Sequence, residues 1–301
     1  MNIAIAVDLS LESHFAIRWA LDLRDRVREQ DQPVKCYAIC VPTPSKRFEF
    51  QTLDYPEATD DPGVHRRLAH RVRAFLESVR HDVDDVEIVI DSGEIAPVIS
   101  EFCQREDIDW LVTGMSTVGP FARLFLGSTV HQLIDLAPCK LAVIHPEHPR
   151  LDGTHEFAVG IDFLPGSDAA LFAAAELTQL SDARLNLVHA LQDAPTGTAH
   201  GGLVNYLAST DVAHLTEDAR QSLESMMANV DARYPGIEFT TLVHAGSPKQ
   251  VLADFIESQN IDSLFLGKIH HPKLEKWALG SVSRWLVKRM PTTIILVPPD
   301  G

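Results

Sequence analysis

The chain has 301 residues, enough for two domains of ordinary size with a core each. Its 45% hydrophobic and 23% charged content is that of a globular protein, and no apolar run approaches the roughly 18 to 20 residues that span a bilayer, which argues against membrane and disordered classes alike. The 26 Lys and Arg stand against 42 Asp and Glu, and the resulting charge of −16 repels a phosphodiester backbone, so nucleic acid is excluded as the main partner.

The first apolar run predicts a strand over residues 3–8 that ends in Asp8. No basic segment precedes it, and Asp8 interrupts the run a signal peptide would need, so the expected location is the cytoplasm. A second strand over 34–41 carries Cys36 and Cys40 on one face about 13 Å apart, beyond disulfide reach. With Cys103 and Cys139 they form no Cys-x-x-Cys pair, and all four read as buried apolar residues. The segment from Pro42 to Pro62 is long for a connection and is a candidate lid or partner surface. Residues 64–80 then place Val64, Leu68, Val72, Phe75, Leu76 and Val79 at steps of three and four, which predicts a helix with one apolar stripe. Its other side carries His65, Arg66, Arg67, His70, Arg71, Arg73 and Arg80, followed by His81. This basic face reads as solvated and balanced by Asp82, Asp84 and Asp85, with an acidic partner or phospholipid head groups as the alternative. Strands over 86–90, 109–113 and 140–145 complete the first half, and Ser128 is expected to cap a helix that begins near Val130.

The second half repeats this plan. Gly93, Gly114, Gly127-Ser128 and Pro138 recur 153 residues later as Gly246, Gly267, Gly280-Ser281 and Pro291, and Val7-Asp8 recurs as Ile161-Asp162 at an offset of 154. Strands are predicted over 156–162, 184–190, 237–243, 262–266 and 293–297, and a helix over 212–230 with Leu215, Ala219, Leu223, Met226 and Val230 as its stripe. The segment from Leu191 to Asp211 is a second long connection. The fold class is therefore α/β: two tandem doubly wound domains, 1–148 and 155–301, each a five-stranded parallel sheet flanked by helices.

In such a sheet a ligand sits beyond the carboxyl ends of the strands, where strand order reverses. Asp8, Val41 and Gly114 close strands there, and Gly119, Gly127 and Ser128 lead into a helix whose amino terminus suits a phosphate. No Gly-x-x-x-x-Gly-Lys-Ser/Thr sequence occurs, and neither first strand is followed by a Gly-x-Gly-x-x-Gly turn, so Walker-type and dinucleotide-type binding are disfavoured.

The strand ending in Asp8 or Asp162, the Gly93 or Gly246 turn, and the runs from Gly114 to Ser128 and from Gly267 to Ser281 resemble the universal stress protein family in its tandem form, over nearly the whole chain. The resemblance implies strand order 3-2-1-4-5 and an adenine nucleotide, ATP or a relative of it, between strands one and four. It assigns Asp8 and Val41 to the adenine and ribose side and Gly114, Thr117, Gly127, Ser128 and Thr129 to phosphate. The second set is Asp162, Ala190, Gly267, His270, Gly280 and Ser281. Nucleotide-binding members carry Gly, two residues, Gly, nine residues, Gly, then Ser or Thr; here Thr117 and His270 replace the middle glycine, and the first half is the better candidate. Arg123, Lys268, Lys273 and Lys276 are cations that would compensate, although each reads first as a solvated surface charge.

Catalytic signatures and metal-ligand spacings are missing from the sequence, and the expectation is a regulatory binding protein rather than an enzyme. The alternatives are an interaction scaffold with degenerate clefts and a weak ATP hydrolase with His270 as base. A protein partner is expected, but no motif specifies its kind. The apolar last strands, 140–145 and 293–297, would be exposed edges, and the resemblance implies that they meet in an intramolecular pseudo-dimer, with a homodimer as a further association.

Overall fold

The computed structural model describes residues 1–42, 62–115, 117–118, 123–124, 127–151, 154–192, 202–271, 276–289 and 291–299, with the backbone alone at 62, 117–118, 123–124, 202–211, 270–271 and 276–277. The chain divides into two compact units: Met1–Leu151 with His271–Ala278, and Asp152–His270 with Leu279–Gly301.

In the first unit the elements follow in the order β1 (Asn2–Ala6), α1 (Leu11–Glu29), β2 (Lys35–Cys40), α2 (Pro62–Val79), β3 (Val86–Ile90), α3 (Ile95–Arg105) and β4 (Trp110–Gly114). A short hairpin, β5 (Thr117–Val118) with β6 (Arg123–Leu124), precedes α4 (Ser128–Leu136) and β7 (Lys140–Ile144). The main strands pair in parallel as β3-β2-β1-β4-β7, so β1 lies between β2 and β4 and strand order reverses there. Helices cover both faces, which is why β1, β2, β4 and β7 are near-continuous runs of buried Ile, Leu, Val and Ala rather than alternating strands. Trp19 of α1 packs on Trp110 of β4 with ring centroids 5.8 Å apart, and Tyr37 of β2 meets Phe102 of α3 at 5.4 Å.

The second half of the chain runs β8 (Thr154–Ile161), α5 (Pro165–Leu180), β9 (Asp182–Leu191), α6 (Gly202–Asp231), β10 (Phe239–Ala245), α7 (Pro248–Gln259), β11 (Ser263–Gly267), β12 (Ile269–His271), β13 (Lys276–Ala278), α8 (Ser281–Leu286) and β14 (Thr293–Val297). Its order β10-β9-β8-β11-β14 is the same 3-2-1-4-5 permutation. The repeat extends to backbone strain: Gly93 and Gly246 hold φ of +136° and +151°, and Leu9 and Phe163, each directly after the equivalent aspartate, both hold φ of 60°.

All ten predicted strands are present. The reading of Leu191 to Asp211 as a long connection is corrected, because α6 already begins at Gly202, well ahead of the predicted start at 212. Most of the segment from Pro42 to Pro62 lies outside the described residues. The α2 stripe is buried at Val64, Leu68, Val72 and Leu76. In α6, Ala219, Leu223 and Val230 are buried, but Leu215 is 47% exposed and does not belong to the stripe. The four cysteines are free and buried, as expected, and burial pushes the Cys36 thiol up to about 12.

The basic face of α2 is exposed at Arg66, Arg67 and His70, while Arg73 and Arg80 are tied down. Arg73 donates to the carbonyls of Val83 and Val86, and Arg80 pairs with Asp22 at 3.2 Å, Asp25 at 2.5 Å and Asp82 at 2.6 Å. Beside it Arg24 of α1, fully buried, reaches Asp25 and Asp85 at 2.8 Å and the Asp82 carboxylate at 2.7 Å, and its Nη1 also donates to the Asp82 carbonyl. This cluster clamps the tail of α1 to the α2–β3 turn. Arg24→Met would take one cation from three partly exposed carboxylates that Arg80 and Arg28 still pair, and should cost about 1 kcal/mol of stability, read as a lower midpoint in thermal unfolding. Burial opposes ionisation of Asp82, but the hydrogen bond and charge of Arg80 outweigh it and hold the carboxyl below its usual range. A depressed folded value means that its stabilisation is complete above about pH 4 and fades as pH falls through the lower folded value. The wild-type melting temperature should accordingly fall more steeply with acid than that of Asp82→Asn.

Candidate functional site

The cleft of the first unit is built from the turn that joins β1 to α1. Asp8 lies two residues beyond the end of β1 rather than within it, and Leu9 takes the left-handed conformation at a cost of about 1–2 kcal/mol. What holds the turn is a set of hydrogen bonds centred on Asp8. The Asp8 carboxylate accepts from the Ser10 N–H at 3.1 Å, from the Ser10 hydroxyl, and from the Ser13 hydroxyl at 2.6 Å, while Ser13 Oγ accepts the Asp8 N–H at 3.0 Å. Ser10 also caps α1 by accepting the Ser13 N–H.

That turn presses directly on the end of β4. A Cβ on Gly114 would lie 2.2 Å from the Glu12 carbonyl oxygen, so glycine is demanded by packing. The same holds in the second unit, where a Cβ on Gly267 would lie 2.1 Å from the Gly166 carbonyl oxygen. These two glycines, assigned from sequence to the phosphate side, also let the helix reach the strand.

Between β2, β1 and β4 lies a cavity of about 220 Å³. Its wall brings together Asp8, Val41, Gly114, Gly127, Ser128 and Thr129, six of the seven residues assigned to this half from sequence. The side chain of the seventh, Thr117, lies outside the described residues; its backbone belongs to β5. Ser128 is the first residue of α4 and not its cap. Gly127 occupies the cap position and makes no side-chain cap hydrogen bond. The residues that sequence reasoning missed are the apolar shelf, Ile39 with Ile95 and Ile99 of α3, and the polar rim of Ser10, Ser13 and Thr113. A signal for the rim was available, since Asp-x-Ser-x-x-Ser after a strand is the spacing of an aspartate that closes on a helix cap. Glu12 also lines the wall, so the described lining carries two carboxylates and no cation.

The second unit keeps the plan and changes the chemistry. Ser10 is replaced by Leu164, which leaves α5 without a side-chain cap, and Asp162 accepts only the Leu164 N–H at 3.0 Å among the bonds described. A cavity of about 350 Å³ lies here, but of the six residues assigned to it from sequence only Asp162 and Gly267 line it. Ala190, Gly280 and Ser281 are not in its described wall, and the side chain of His270 lies outside the described residues. Lys268, expected at the surface, is fully buried and lines the cavity. The side chains of Arg123, Lys273 and Lys276 lie outside the described residues. Among the described residues no cluster of three His, Cys, Asp or Glu could hold a metal ion, and no helix is long and apolar enough to cross a membrane.

The model of the universal stress protein family matches this chain twice, over residues 1–145 and 154–298. The chain belongs to the universal stress protein family. A universal stress protein of Mycobacterium tuberculosis is 28% identical over 290 residues, 94% of this chain and 92% of the relative. Among solved structures, a universal stress protein from Archaeoglobus fulgidus shares the fold with a TM-score of 0.63 at 16% identity, covering 99% of this chain and 98% of that one. A protein from Pseudomonas aeruginosa does so with a TM-score of 0.62 at 12% identity, covering 99% and 93%. The tandem arrangement implied by the repeat is thus the arrangement of the family match.

Because the Gly114 contact leaves no room for a methyl group, Gly114→Ala should destabilise this universal stress protein by about 1–3 kcal/mol and displace the first turn of α1. Thermal unfolding reads the first effect, and changed amide signals at Ser10 and Ser13 read the second.

Proposed function

We propose that the first cleft binds an adenine nucleotide and that the chain acts in the cytoplasm as a stress-response binding protein, passing ligand occupancy to a protein partner, rather than as an enzyme. The observation that carries this reading is the meeting, in one cavity at the strand-order reversal, of an apolar shelf with a polar rim and an uncapped helix terminus. Ile39, Val41, Ile95 and Ile99 suit the faces of a purine, and Asp8 sits where a ribose hydroxyl or an exocyclic amine would donate to it. The N–H groups at the start of α4 are the natural donors for a phosphate. At about 220 Å³ the enclosed volume is below the roughly 300 Å³ of a drug-sized pocket, so it suits a nucleoside portion, with phosphate oxygens at the rim. Family resemblance supports the same ligand class.

A second reading is favoured by one feature. With Asp8 and Glu12 in the described wall and no cation beside them, a polyphosphate meets an unfavourable field, as expected of a scaffold whose clefts have degenerated. Hydrolysis has less support: the Asp8 carboxylate is engaged by Ser10 and Ser13 and is not free to act as a base.

Denaturing the purified chain and analysing the released small molecules, followed by calorimetric titration with ATP, ADP and AMP, separates these readings. The expected result is one adenine nucleotide bound per chain and loss of binding in Gly127→Arg, whose side chain fills the rim. AMP should bind at least as well as ATP, given the two carboxylates. No released nucleotide and no heat with any of the three would leave the scaffold reading.

A further inference from the structure

The two clefts occupy equivalent places, but their walls differ in one consistent direction. Three polar residues in the wall of the first, Ser10, Glu12 and Thr113, have Leu164, Gly166 and Leu266 as their counterparts at the repeat offsets of 154 and 153, and all three counterparts line the second. With Pro165, Ile269 and Pro299 beside them, the described wall of this cavity of about 350 Å³ is mostly apolar. Most of the polar side chains that remain are engaged. The Ser167 hydroxyl donates to the Leu164 carbonyl at 2.9 Å, the Asp162 carboxylate accepts the Leu164 N–H at 3.0 Å, and the buried Lys268 has an interaction of its own. Water in such a space finds few fixed partners, and an apolar group that displaces it gains affinity.

Side chains of this unit also stand where a nucleotide would need room. At the start of α8 a Cβ on Gly280 would lie 3.3 Å from the Ile269 Cδ1, so that methyl group rests against the turn that would face a phosphate. On the opposite side Phe163 lies against His189 with ring centroids 4.5 Å apart, and none of the described wall comes from β9, whereas Ile39 and Val41 line the first cavity. The mouth is apolar as well. Of the five large apolar side chains exposed among the described residues, Leu164 and Ile269 line this cavity and Phe163 adjoins Leu164. A single exposed leucine is ordinary, but three such residues at one cleft mark a binding surface.

Size and charge narrow the occupant. A cavity of about 150 Å³ holds one benzene ring, so a Leu or Phe side chain inserted by a protein partner would leave about half of this one empty, whereas a free ligand of roughly eight to ten carbons fills it. Asp162, exposed at the mouth, disfavours an anionic head group on that ligand. We infer that the second cleft is a site for an uncharged aliphatic molecule of medium chain length and not a second copy of the nucleotide site. This holds whether or not the first cleft binds a nucleotide.

Calorimetric titration of the intact chain with 1-octanol tests it, alongside the double variant Leu164→Ser with Leu266→Thr, which copies the first unit, and with octanoate as the charged control. The expected result is one octanol per chain, bound about tenfold or more weakly by the variant, weaker binding of octanoate than of octanol, and no change in any AMP binding to the first cleft. Should the variant fail to fold, methyl spectra of the wild-type chain test the same site: octanol should move the signals of Leu164, Leu266 and Ile269. Octanol binding equal in the two proteins, no binding by the wild type, octanoate bound as tightly as octanol, or shifts confined to Ile39, Ile95 and Ile99 would overturn the inference.

Discussion

The rest of the molecule depends on one close approach, repeated in each unit: the first turn of a helix resting on the last residue of the strand beside its own. Glu12 over Gly114 and Gly166 over Gly267 leave no space for a side-chain carbon. This contact sets how far the helix leans over the sheet, and so how wide the crevice opens at the reversal of strand order. A larger residue would push the helix away, and the cleft would lose its floor and its polar rim together. The left-handed residues Leu9 and Phe163 follow from the same constraint, since the chain must turn sharply to enter a helix already pinned against its neighbour.

Within that common frame the two halves have taken different chemistry. The first half commits polar groups to its turn: Asp8, Ser10 and Ser13 satisfy one another and present a defined rim above an aliphatic shelf. In the second half Leu164 stands where the capping serine was, an aromatic pair covers the side where a base would lie, and a lysine enters the wall. A repeat that preserves backbone geometry while exchanging a few wall residues yields two clefts of different volume and lining, because the exchanged groups leave the packing intact.

Charge follows a similar division at the other end of the first unit's sheet. Two residues of the basic face that stood out in an acidic sequence, Arg73 and Arg80, join Arg24 of α1 in binding carboxylates and carbonyls of α1 and the α2–β3 turn, while Arg66, Arg67 and His70 stay exposed. Buried pairs of this kind add little over an apolar core but are costly to break, so they hold one arrangement of α1 against α2.

The strands, their number and the duplication were legible in the chain, because buried parallel strands are continuous apolar runs and a repeat keeps its glycines where backbones touch. For the same reason the polar residues of the first cleft could be named, since Asp8, Gly127, Ser128 and Thr129 sit at strand and helix ends that local pattern marks. The shelf of Ile39, Ile95 and Ile99 could not: an isoleucine facing a cleft and one facing the core have the same periodicity, and only the packing of α3 against β2 distinguishes them. Nor could the burial of Lys268, which pattern assigns to the surface, or the cover of Phe163 on His189. Sequence by itself determined the fold and most of the first cleft's polar wall, because local periodicity and repeated turns encode these. Tertiary structure decided what each cleft can hold, because a wall is assembled from residues far apart in the chain whose exposure is a property of their neighbours.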